Sequence, residues 1–179
     1  LAVNALTNQA TEENVKSSDF LLMKATVDPE QDLTADGKLK ISLSHAMSKL
    51  IIKITVNGTT DAAMNKLGDM SINGAVVNGI CDLSATVPMV VPAPDAVVAT
   101  VAPYKGTESC ECILPPQKIA EGFSVNFSYD GKLYIWTAKE AIELEEGVEH
   151  TLTLNVNTTV RLAAKMARNW ATGQLIDRN

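Results

Sequence analysis

Two period-two runs lie almost end to end in residues 37–57, GKLKISLSHAMSKLIIKITVN. In the first, Leu39, Ile41 and Leu43 alternate with Lys38, Lys40, Ser42 and Ser44. In the second, Leu50, Ile52, Ile54 and Val56 alternate with Lys49, Ile51, Lys53, Thr55 and Asn57. Side chains on a strand point to opposite faces in turn, so each run predicts a strand with one buried face and one charged face. The link between them, Ser44 to Ser48, is too short for the crossover that a parallel pair needs. The runs are therefore an antiparallel pair, or two strands passing from one sheet to another at a corner. Either arrangement implies an antiparallel β scaffold.

The rest of the chain follows the same pattern. Residues 1–18 are polar and irregular in sequence and read as an N-terminal arm or linker from a missing domain; residues 19–179 read as a single β-sandwich domain. Phe20 to Val27 is a strand candidate, and Asp28 to Gly37 is a loop whose Asp36-Gly37 suits a tight turn. Gly58 should end the second strand. Asp61 to Leu67 is compatible with one or two helical turns, with Asp61 as N-cap. Short strands are expected at Asp69 to Asn73 and at Val76 to Leu83, the latter with a bulge at Gly79. Six of the seven prolines fall in residues 86–116, which therefore cannot be one central strand; Ala96 to Val101 and Cys112 to Leu114 are candidates within it. Phe123, Val125, Phe127 and Tyr129 alternate with polar residues, and Asp130-Gly131 then joins them to Lys132 to Ala138 as a hairpin. After an acidic link, Glu140 to Gly147, one face of a long strand is formed by Val148, His150, Leu152, Leu154 and Val156. Val160 and Leu162 suggest a last strand, and Ala163 to Asn179 shows some helical character in an exposed tail that carries Trp170. Many short strands without a long helix predict an all-β, antiparallel β-sandwich, Greek-key in part.

With 179 residues and 46% hydrophobic residues the chain can bury a core unaided, and at 4% aromatic that core is aliphatic. A net charge of −6 argues against nucleic acid as a partner, because phosphate binding needs a basic face. The chain opens on Leu1, as expected of a processed or truncated product, and no signal peptide, lipobox or transmembrane run lies within it.

No catalytic, cofactor-binding or metal site is expected. His45 reads as a turn residue and His150 as a histidine held by backbone within a buried row. Neither has Asp or Cys at ligand spacing. Asp28, Glu30, Asp32 and Asp36 lack the order of a calcium loop and read as a solvated acidic turn. Glu140, Glu143, Glu145 and Glu146 read as a charged surface link. Cys110 and Cys112 allow three readings: a strained bridge, a soft-metal pair, or thiols on opposite faces of an irregular strand, since i and i+2 of a regular strand share a face.

Several stretches resemble one family. Ser18-Asp19-Phe20-Leu21-Leu22-Met23-Lys24-Ala25 resembles the "SDlLxA" segment of fimbrillins, and Leu43-Ser44-His45-Ala46-Met47-Ser48-Lys49-Leu50 resembles their "l-x-H-x-x-S-K-l" signature. Ile113-Leu114-Pro115-Pro116-Gln117 is similar to "iLPPQ", residues 144–154 to "l-x-x-G-x-x-y-x-l-x-l", and Trp170-Ala171-Thr172-Gly173 to the closing "W-x-x-G". The resemblance implies a fimbrillin-like (type V pilin) C-terminal domain with a transthyretin-like sandwich, a lipoprotein precursor, and a place at the cell surface in a fimbria of the outer membrane. It also implies assembly with other pilin-like subunits by strand donation, and makes His45 a structural mark. The first arginine is Arg161, so no arginine-directed maturation site precedes the sandwich.

The implied function is that of a structural, non-enzymatic fimbrial or accessory subunit. The residues that matter are then core rows: Leu50, Ile52, Ile54 and Val56, and Leu152, Leu154 and Val156. One alternative is a carbohydrate- or host-binding adhesin with an aromatic platform drawn from Tyr104, Trp136 and Trp170. Another is a secreted glycosidase domain with two facing carboxylates.

Overall fold

Leu50, Ile52 and Ile54 are buried and Lys53 is exposed, so the second period-two run is a strand in the phase its alternation predicts. A computed structural model describes residues 1–23, 28, 30–39, 41–59, 64–156, 162–166 and 173–177. The elements are β1 (Ala2–Asn4), α1 (Glu12–Ser17), β2 (Leu21–Leu22), β3 (Ser44–His45), β4 (Ser48–Val56), β5 (Leu67–Val76) and β6 (Asn78–Cys81). Next come β7 (Val90–Pro92), β8 (Val98–Val101), β9 (Tyr104–Lys105), β10 (Cys110–Leu114), β11 (Gln117–Ile119) and β12 (Ser124–Tyr129). The chain closes with β13 (Lys132–Ala138), β14 (Ile142–Leu144), β15 (Glu149–Val156), β16 (Leu162–Met166) and β17 (Gly173–Asp177).

The fold is an all-β sandwich. One five-stranded sheet has the order β16-β15-β4-β10-β9, the other β17-β13-β12-β5-β8. Three smaller sheets, β1-β6-β7, β11-β14 and β2-β3, complete it. The inward rows of both large sheets join one hydrophobic cluster that includes Leu50, Ile52, Leu152, Leu154, Phe127 and Trp136. Most ladders are antiparallel, but β4 and β15 are parallel, from Glu149↔Lys49 to Val156↔Val56. A parallel pair needs a long crossover. Here the crossover includes four of the five strands of the second sheet, β5, β8, β12 and β13, which lie between β4 and β15 in sequence.

The β12–β13 hairpin forms as its turn dictates: Asp130 and Gly131 both have positive φ, 51° and 78°. That is the requirement of a two-residue primed turn, which only Gly, Asn and Asp meet cheaply.

Elsewhere the structure corrects the sequence reading. The first period-two run is not a half-buried strand. Among the described residues of that run only Ser44–His45 is a strand, paired with β2, and Leu39, Ile41 and Leu43 are exposed. The chain then turns from the β2–β3 pair into the large sheet at β4, which is the corner arrangement. Residues 1–18 are ordered, not irregular. β1 pairs with β6, and α1 starts at the N-cap Thr11, whose side chain accepts the Asn14 N–H at 3.2 Å. Glu12 and Glu13 in the first turn and Lys16 in the last suit the helix dipole, and Val15 turns inward. The bulge belongs to Gly74, not Gly79. The β5–β8 register slips between Asn73 and Ala75, and Gly74 has φ 92°. Gly79 pairs regularly on both sides and is tight for another reason: a Cβ there would meet the Val3 carbonyl at 2.9 Å. The acidic link contains β14, paired with β11. The C-terminal tail is two strands, without helix among its described residues. The proposed helical turns at Asp61 and the positions of Val160 and Trp170 lie outside the described residues.

Candidate assembly site

The predicted core rows meet across the parallel ladder. His150 faces Leu50, Leu152 faces Ile52 and Leu154 faces Ile54. On the other side of β4, Cys112 faces Leu50 and Cys110 faces Ile52. His150 is therefore a core residue, and its Nε2 accepts the Glu145 N–H at 2.9 Å. β10 is regular, so both of its cysteines share the buried face. They are free thiols, as is buried Cys81. Burial pushes the Cys110 thiol up to about 11 and also raises Cys112, where the charges of Cys110 and Glu111 add to it. Such thiols are poor nucleophiles and poor metal ligands.

The other flagged groups do not converge. Asp28 and Asp32 serve their own turn, with the Asp28 N–H donating to Asp32 Oδ2 at 2.8 Å. Among the described residues no group of three or more His, Cys, Asp and Glu could hold a metal. Trp136 is fully buried, edge-on to Phe123 with ring centroids 6.1 Å apart, and Tyr104 is half-buried, so neither can form an exposed aromatic platform.

One cleft, of about 310 Å³, lies between α1 and the outer face of β4, β10 and β15. Its charges are self-paired. Lys49 bridges Glu111 (2.9 Å) and Glu149 (3.5 Å) across three strands, and Lys16 meets Glu12 at 2.6 Å. Partial burial pulls the Lys49 ammonium down. The hydrogen bond and charge of Glu111, with those of Glu149, outweigh this and leave it raised. Asp19 and His45 also line the cleft, with His45 Nδ1 2.6 Å from Asp19 Oδ2.

The features that distinguish the molecule are its sheet edges. β9 pairs only with Cys110 and Glu111 of β10. Farther along, the Gln9 side chain stands in for a strand, with Nε2 donating to the Ile113 carbonyl and Oε1 accepting the Ile113 N–H, both at 2.8 Å. Gln117 treats Val76 the same way, both bonds at 2.9 Å. Around Gln9 the backbone is also stitched, with Gln9 N–H donating to Ala102 and Ala102 N–H to Thr7, each at 2.8 Å. At the opposite edges the C-terminal segment supplies one strand to each large sheet. β16 pairs antiparallel with β15, and β17 antiparallel with β13. Among the described residues no helix is long and apolar enough to cross a membrane.

The sequence profile of the fimbrillin-like family matches residues 1–169. The chain belongs to the fimbrillin-like family. The two family-like stretches that carry Asp19 and His45 are thus brought together by the β2–β3 pair and the 2.6 Å contact between those residues. A solved structure of a candidate cell adhesion protein from Bacteroides uniformis ATCC 8492 is similar, at 16% identity and TM-score 0.53, over 76% of this chain and 52% of that one. A candidate cell adhesion protein from Bacteroides ovatus ATCC 8483 is similar at 18% identity and TM-score 0.50, over 89% of this chain and 60% of that one. The tip fimbrial protein Mfa3 from Porphyromonas gingivalis, with a C-terminal truncation, aligns at 12% identity and TM-score 0.46, over 80% and 55%. The fimbrillin-like chain thus spans between half and two thirds of the length of these structures. No curated protein matches it.

Proposed function

We propose that this fimbrillin-like chain is a structural, non-enzymatic subunit of a cell-surface fimbria, as stalk, tip or accessory component. It assembles with like subunits by exchanging β-strands. The observation that carries this reading is the C-terminal segment. It forms an outer strand of both large sheets through main-chain ladders and adds no strand to their interiors. An edge strand held by main-chain bonds can be replaced by the same strand from another chain, with the alternating side chains setting register. Family membership supports the surface setting, and the likeness to solved structures supports the fold.

The test is deletion of residues 160–179 and addition of a peptide of that sequence. The truncated domain should lose stability and bind the peptide, read by calorimetry or native mass spectrometry. A truncated domain as stable as the full chain that ignores the peptide would remove the physical basis for exchange through this segment.

A further inference from the structure

Charge is divided unevenly along the chain. Residues 160–179 hold four basic residues, Arg161, Lys165, Arg168 and Arg178, and one acid, Asp177, for a net charge of +3. Every arginine of the protein is among them. Residues 1–159 hold 11 basic and 20 acidic residues, for a net charge of −9. Arg161, Arg168 and Arg178 lie outside the described residues, and their charge belongs to the segment as a whole. The two strands of the segment are described and seated. β16 lies along β15 with Met166 at Leu152, and β17 lies along β13 with Gly173 at Ala138. The stretch that joins these two acceptor strands, residues 139–149, is the most acidic of the chain. It holds Glu140, Glu143, Glu145, Glu146 and Glu149, and all of these but Glu146 are exposed. Lysines offset part of this charge: Lys139 within the stretch, Lys118 opposite Glu143, and Lys49 at Glu149, which Glu111 shares.

We propose that the C-terminal strand pair is a basic ligand for an acidic acceptor, the edges of β13 and β15 with the glutamate stretch between them. Capture of the segment by a second copy is then steered by charge and set by ionic strength. This inference rests on the strand exchange proposed above and adds what selects the occupant. Two complete copies carry −6 each and repel. A copy whose acceptor edges are open presents −9 and draws in a segment of +3. Opposite charge of this kind raises the rate of encounter and excludes wrong partners, and the main-chain ladder then holds what has arrived. An acidic or neutral edge strand from elsewhere would lack that attraction.

The test offers the full-length chain equal amounts of two peptides of residues 160–179 that carry different fluorophores. One is native. The other combines Arg161→Gln, Lys165→Gln, Arg168→Gln and Arg178→Gln. Both compete for the same opened chain, so the release of its own segment cancels from the comparison. Capture is read after gel filtration. The native peptide should be captured about tenfold faster or more at about 0.01 M salt, and the two should be captured equally at about 1 M, where charges are screened beyond about 3 Å. Glu140→Gln, Glu143→Gln and Glu145→Gln together should remove most of the preference. Glu13→Gln, Asp95→Asn and Glu108→Gln together remove the same charge at other exposed positions and should keep it. Equal capture at low salt, or a preference that salt leaves unchanged, overturns charge steering and leaves strand exchange standing. Equal loss in the two triple variants overturns the glutamate stretch as the acceptor. Capture of neither peptide overturns strand exchange itself, and this inference with it.

Discussion

The side-chain amide of Gln9 and the backbone of Ile113 form a two-bond ring, each bond 2.8 Å, in a site where Gln9 is fully buried. The amide has the donor–acceptor spacing of a peptide group, so it extends the ladder of β10 past the end of β9. Ile113 is the residue that would otherwise present an unpaired N–H and C=O on a buried edge.

Gln9→Ala should therefore leave two buried backbone groups unsatisfied and cost about 2–4 kcal/mol, at about 1–3 per group with partial relaxation. Gln9→Glu should be as damaging at neutral pH, since a carboxylate cannot donate to the Ile113 carbonyl. Lys16→Ala, which breaks the solvent-screened pair with Glu12, should leave the midpoint almost unchanged. Denaturant midpoints of the three variants check the order.

The paired rows Leu50, Ile52, Ile54 and Leu152, Leu154, Val156 are fully or almost fully buried. Ile52→Ala or Leu154→Ala should each cost about 2–5 kcal/mol, the range for a large aliphatic truncated in a core. Lys53→Ala, on the exposed face, should cost about 0.5 kcal/mol or less. Equal losses in urea melts would mean that the strand phase is wrong.

Gly74 sits at φ 92°, and a Cβ there would fall 2.5 Å from the Gly122 carbonyl oxygen and 2.7 Å from Phe123 Cα. Both obstacles are backbone and cannot swing away. Gly74→Ala should cost at least about 1–3 kcal/mol from the conformation alone, before the clash is counted. Gly131→Ala has the same sign of φ but open space around it, so it should cost less. The difference between their melting temperatures isolates the clash.

The three buried thiols should resist alkylation in the native chain at neutral pH and react together once it is unfolded. Cys110 also makes stability pH-dependent. Its folded value is raised from 9.0 to about 11, so its contribution is complete below the unfolded value and is lost as pH rises through that window. Denaturant midpoints should fall between pH 9 and 11, and less steeply in Cys110→Ala. An identical slope in that variant would assign the loss to other groups.

Alternation was a sound guide wherever a strand had a sheet to join. Leu50 to Val56, Phe123 to Tyr129 and His150 to Val156 all lie in the phase their sequence shows, because burial of one face is a local demand that a period of two meets. Leu39, Ile41 and Leu43 have the same period and remain exposed, since alternation states that a face seeks cover but not what covers it. Helix α1 carried a readable signal, Thr11 followed by Glu12 and Glu13, which the polar composition of residues 1–18 obscured. Gln9 carried none. Nothing in one glutamine says that it will lie beside Ile113, 104 residues away.

By itself the sequence determined the all-β class, the primed turn at Asp130-Gly131, the inward rows and the net charge of −6, all properties of neighbouring residues or of total charge. Only the tertiary structure decided that β4 and β15 run parallel and that Gly74, not Gly79, carries the bulge. It also placed Trp136 in the core and the C-terminal segment at both sheet edges. Those outcomes depend on which strands meet, and pairing between distant strands is set by the packing of the whole sandwich. No local pattern encodes it.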